Sequence, residues 1–176
     1  QQQREDGPPP MRYMPADVRN RLDAERDPKE RARLGMLIAE ERLSRASQFA
    51  DADRFVAATG EVGVYEAVVE DTVDFLYATG RAHKMRDILK RVEITLRSHV
   101  TRLETIRRTL PEQHAVYLKS AIDFVRDHRD KTLGAFYSDT VIGEPRQPAV
   151  TTPAGERATA GGPARPEDEK KPEPRR

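Results

Sequence analysis

The sequence predicts an all-α protein: an antiparallel up-and-down bundle of four long helices preceded by one short helix, with disordered termini. Three observations carry that expectation. Residues 16–142 contain no alternating Val/Ile/Thr run closed by Asn-Gly or Asp-Gly, so strand signals are missing. Ala, Leu, Arg, Glu and Lys, which favour helices, are abundant there, and apolar residues recur at steps of three and four. Eleven of the thirteen prolines fall in residues 1–15 or 143–176, leaving only Pro28 and Pro111 inside, each at an expected helix start. The division is therefore a disordered segment at 1–15, a bundle at 16–142 and a disordered Pro/Gly/charge-rich tail at 143–176. That tail has Val150 as its one large apolar residue, too little buried surface to offset the entropy of ordering.

The first helix is expected near 16–25. Asp27-Pro28-Lys29-Glu30 then combines an N-cap carboxylate, a proline at the first helical position and an acid at the third, which starts a second helix. Its apolar stripe is Ala32, Met36, Ala39, Leu43, Ala46 and Ala50. The third helix places Phe55, Val62, Val69 and Leu76 seven apart, with Ala58, Tyr65 and Thr72 between them. Between these helices the sequence allows a turn at 51–53, where the spacing breaks phase, or at Thr59-Gly60. Gly80 is the expected C-cap of the third helix.

The fourth helix repeats Leu89, Leu96, Leu103 and Leu110 every seven residues, interleaved with Met85, Val92, His99 and Ile106. Pro111 restarts the chain as a fifth helix burying Tyr117, Leu118, Ala121, Phe124, Val125 and Phe136. Short connections make neighbouring long helices antiparallel. The leucine seam could equally serve a coiled-coil dimer, so self-association or a protein partner is expected.

With 31 Lys and Arg against 30 Asp and Glu, the formal charge of +1 supplies no global pull toward nucleic acid or an acidic membrane. The neutrality is local in origin. Residues 60–80 hold five acids and no Lys or Arg, while 81–108 hold nine Lys/Arg and three acids. Charge neutralisation between these two consecutive helices is the preferred reading. The alternative is a nucleic-acid-binding helix using Lys84, Lys90, Arg91, Arg97 and Arg102.

The absence of cysteine excludes disulfides, thiolate metal sites and cysteine nucleophiles. No apolar run reaches the ~20 residues of a membrane span. The four histidines show neither Glu-x-x-His nor His-x-x-x-His spacing, and His99 reads as a core or boundary imidazole with one hydrogen bond, facing the neighbourhood of Ile122 and not His128 if the fourth and fifth helices fold back around Pro111. A metal or small-molecule enzyme seated around His99 or His128 is the third reading. Glu40-Glu41 and Glu70-Asp71 are adjacent, diverge by about 100° on a helix and read as surface charge. Phosphate-loop, hydrolase-elbow and dinucleotide motifs are missing. No catalytic, cofactor-binding or metal residue is therefore assigned, no cofactor is expected, and Tyr77 and Tyr137 are left as contact candidates near helix ends.

Ala39-Glu40-Glu41-Arg42-Leu43, the turn-like Ala52-Asp53, and Tyr65-Glu66-Ala67-Val68-Val69 together resemble a bacterial helical domain family of unknown function. The resemblance covers residues 28–76; the family usually has Gly-Asp where this chain has Ala52-Asp53. It implies an exported or membrane-anchored setting and carries no catalytic residue. The polar, Pro-rich start at Gln1 is the kind of segment that follows a signal-peptide cleavage, so a periplasmic or extracytoplasmic location is expected, with a cytoplasmic one the alternative. The functional expectation is a non-enzymatic interaction or regulatory module.

Overall fold

A computed structural model of the chain describes residues 12–79 and 82–141, and side chains within 12–79 and 85–134. Outside these lie the expected Gly80 cap, residues 1–11, the tail from 143 onward, and the side chains of Lys84, Phe136 and Tyr137. Five helices follow one another: α1 (Ala16–Ala24), α2 (Pro28–Asp51), α3 (Phe55–Ala78), α4 (Ala82–Thr109) and α5 (Glu112–Val141). No strand occurs among the described residues.

The start of α2 is the one its sequence signals. Asp27 accepts from the Lys29 and Glu30 amides at 2.9 and 3.0 Å, with Pro28 at the first helical position. Its end settles the open question of the turn in favour of 51–53. The Arg54 amide reaches back to the Phe49 carbonyl at 2.8 Å, and the Asp53 amide to Ala50 at 3.1 Å. These two bonds form a Schellman motif, which requires a left-handed residue; Asp53 fills that place at φ 57°. Gly60 and Gly63 lie within α3. Pro111 opens α5, its carbonyl accepting from the His114 and Ala115 amides at 2.9 Å each.

The all-α antiparallel bundle is assembled from two hairpins, α2 with α3 and α4 with α5. They pack with α2 against α4 and α3 against α5, while the consecutive pair α3 and α4 touch least of all packed helices. Contacts across the hairpins rise together in number, Glu40 with His99 and Ser44 with Arg102, so α2 and α4 run parallel. Around the bundle the order is therefore α2, α3, α5, α4.

The core is continuous across both hairpins. Every apolar member of the α4 seam, from Met85 through Leu110, is buried, as are Ala32, Met36, Ala39, Leu43, Ala46 and Ala50 of α2. Leu118, Ala121, Phe124 and Val125 bury as expected, whereas Tyr117 is only half-buried. Helix α3 packs against α2 on one side and α5 on the other, and buries twelve of its 24 residues.

This layout overturns the expected pairing of acidic α3 with basic α4. The two lie on a diagonal and leave their flanks to other partners. Acids of α3 meet α2 instead: Arg31 with Asp71 at 3.2 Å, Arg42 and Arg45 with Glu61 at 3.0 and 3.3 Å. On α4, Arg107 pairs with Glu104 at 2.9 Å and Arg97 with Glu93 at 2.8 Å, both within the helix. Glu93 also holds Arg129 of α5 at 2.8 Å. Internal neutralisation is real, but by different residues.

Residues 12–15, expected to be disordered, lie against the bundle. Met14 packs on the core, and Arg12 reaches α3 and α5.

Candidate functional site

Three helices converge on His99. It lies on the α4 seam and finds its hydrogen-bond partners on α2 and α3. Its Nε2 is 2.9 Å from Glu40 Oε2 and its Nδ1 is 3.2 Å from the Tyr65 hydroxyl. Arg102, one turn on, binds the other Glu40 oxygen and donates to Ser44 Oγ at 3.1 Å. Glu40 is thus half-buried at a helix junction rather than a free surface charge.

The protonation pattern follows from the partners. A carboxylate that also accepts from Arg102 has only acceptors to offer, so Nε2 carries the hydrogen and Nδ1 accepts from the Tyr65 hydroxyl. Burial pushes the His99 pKa below its usual value, opposed by Glu40 and reinforced by Arg102. The Tyr65 phenol is raised well above its usual range by burial, with Glu66 and Glu40 adding to the shift. Both signs favour a neutral imidazole and a neutral phenol.

Carboxylate, imidazole and hydroxyl in sequence form the layout of an activated nucleophile. Here Tyr65 and His99 are both 0% exposed, so no substrate can reach the hydroxyl. The arrangement can fix register between hairpins, because Glu40, His99 and Tyr65 meet one another only in one alignment. Glu93 forms a second polar lock, between α4 and α5. Burial works to raise its pKa, but the hydrogen bonds and charges of Arg97 and Arg129 prevail and hold it below the usual value.

Among the described side chains, His114 and His128 do not join this junction. His128 donates from Nδ1 to the Phe124 carbonyl at 2.9 Å, and His114 lies buried with its ring 5.7 Å from Phe55. No group of three or more His, Asp or Glu side chains that could hold a metal ion occurs among the described residues.

Of the five basic candidates, Arg97 and Arg102 turn to different helices. Arg102 turns to α2, whereas Arg97 shares Glu93 with α5, so these two flank opposite sides of α4. Lys90 and Arg91 are exposed, and among the described residues neither is in an ion pair. A continuous basic stripe does not form among the described members.

What sequence reasoning missed is a cleft of about 530 Å³ where the N-terminal segment and the first two helices meet α3. Arg12, Arg19 and Arg31 face Glu70, Asp71 and Asp74 in its wall. Arg31 is the most constrained: it binds Asp23 at 3.1 Å and Asp71 at 3.2 Å, and its guanidinium lies 4.3 Å from the centre of the Phe75 ring. Its buried Nε has no partner. Arg19 and Asp74 are exposed and unpaired among the described residues. A signal existed in the acidic run Glu70-Asp71-Asp74, but its partners arrive from 12–31, a region whose packing on α3 no local pattern announces.

No helix among the described residues is long and apolar enough to cross a membrane. Comparison with protein-family models, with curated proteins and with solved structures finds no match to this chain.

Proposed function

We propose that the chain is a non-enzymatic helical-bundle interaction or regulatory module of a bacterial exported protein, and that a partner docks at the cleft between the N-terminal segment and α3. The single observation that carries this reading is the division of polar groups. The Tyr65–His99 pair is buried and hydrogen-bonded through both ring nitrogens, its outer end met by the half-exposed Glu40, whereas the cleft wall carries an unpaired cation, Arg19, and an unpaired anion, Asp74. The extracytoplasmic setting is supported by the resemblance over residues 28–76.

Retention of partner proteins from an extract of the source cells on the immobilised chain tests the cleft. Asp74→Arg should abolish capture of a specific partner, while Asp123→Arg, on α5 outside the cleft, should leave it intact. Identical retention by all three chains would overturn the reading.

A further inference from the structure

We propose that Glu66, Glu70 and Phe124 form a guanidinium-binding site, occupied within the chain by Arg12, that takes an arginine side chain presented by a partner peptide. The inference rests on reading this side of the bundle as a binding surface, and names the chemistry of what it binds.

The geometry is that of a cation receptor, with Arg12 as its occupant. Glu66 lies on the buried side of α3 with its side chain 11% exposed, Glu70 follows one turn later, and Phe124 stands beside them on α5. Arg12 lays its guanidinium carbon 4.3 Å from the Phe124 centroid, its Nε 3.5 Å from Glu66 and its Nη1 3.4 Å from Glu70. A planar cation over a ring face with carboxylates at its edges is a combination that arginine satisfies and lysine does not.

The two sides of this contact are held unequally. Glu66 and Phe124 are fixed in helices and largely desolvated, and an unpaired Glu66 carboxylate there is costly. Burial raises its pKa, with Glu70 adding to the shift and the charge and hydrogen bond of Arg12 opposing it. Arg12, in contrast, is 45% exposed and sits outside any helix, and its two ion pairs, at 3.5 and 3.4 Å, are of the long, partly solvated kind worth little in water. The site therefore outlasts the grip of its resident, and another arginine can compete for it.

Chemical rescue of the full chain tests this. Arg12→Ala should lower the thermal midpoint by about 3 °C, and Nα-acetyl-arginine amide should restore it saturably. Nα-acetyl-lysine amide should not, and the double variant R12A/E66Q should lose the rescue. Should R12A fail to fold, Arg12→Lys keeps a positive charge while vacating the ring face. In that variant the arginine derivative should shift the amide resonances of Glu66, Glu70 and Phe124. Equal rescue by the lysine derivative, no saturable rescue, or no shift at those amides in R12K overturns the site. Such a failure leaves the Asp74→Arg capture result standing, so the two readings are separable.

Discussion

Helices α2 and α3 bury Ala32, Gly35, Ala39, Ala46, Ala50, Ala58 and Gly63 beside larger residues such as Ile38, Leu43 and Val68; α4 and α5 bury Leu89, Leu96, Leu103, Ile106, Leu118 and Ile122 with Ala121 as a small exception. The first hairpin is the richer in small buried residues and comes close at Gly35, and the second is filled mainly by branched aliphatics. A Cβ added at Gly35 would collide with Thr72 Oγ1, which is itself held to the Val68 carbonyl at 2.8 Å. One hairpin is thus limited by steric tolerance, the other by the volume that its side chains occupy. They should fail in opposite ways, one by overfilling and one by emptying.

The largest expected effect is emptying the second hairpin. Leu103→Ala removes a fully buried seam residue and should cost about 2–5 kcal/mol, read from the denaturant midpoint. A cost below about 1 kcal/mol would mean that the site collapses without a cavity. Next comes overfilling the first. Gly35→Ala should destabilise by about 1–3 kcal/mol through overpacking, partly offset by alanine's better helix propensity of about 1 kcal/mol. A stabilised Gly35→Ala protein would show that the α2/α3 gap is not tight, and the comparison would break there.

A smaller loss probes the join between hairpins. Tyr65→Phe leaves His99 Nδ1 buried without its donor and should cost about 1–3 kcal/mol in chemical unfolding. Lysine or arginine substitutions are not needed to see this, because the change removes one oxygen only. The smallest effect has the opposite sign: Asp53→Gly relieves a left-handed residue at the α2/α3 turn and should raise stability by about 0.5–1 kcal/mol. Loss of stability would indicate that the Asp53 side chain itself holds the turn.

The helices were legible because their determinants are local. Asp27-Pro28 and the Leu89-to-Leu110 seam each lie within one element, and both appear as the spacing predicts. The polar junction was not, since Glu40, Tyr65 and His99 meet only after three helices have packed, and the α2/α4 contact depends on which hairpin faces which. Opposite charge on α3 and α4 pointed to the wrong pair because adjacency in sequence does not place these helices side by side. Glu66 left a trace: it stands alone among Val62, Val64, Val68 and Val69 in the most apolar stretch of α3, which is how a buried carboxylate looks in sequence. Arg12 left none, lying in a Pro-rich segment that composition assigns to a linker.

Across the two hairpins, the central claim is that a sealed, neutral His99 joins them. The sign of its titration is defined. A histidine whose folded pKa is depressed contributes stability that is present above its unfolded pKa, about 6.5, and is lost as pH falls below it, because the unfolded chain takes the proton first. Nitrogen-15 NMR of the His99 ring across pH 8 to 5 tests this most directly. The account predicts a neutral ring with hydrogen on Nε2 at pH 7, holding that form to below pH 6.5 in the folded chain. A ring that is protonated at pH 7, or that carries its hydrogen on Nδ1, would contradict it.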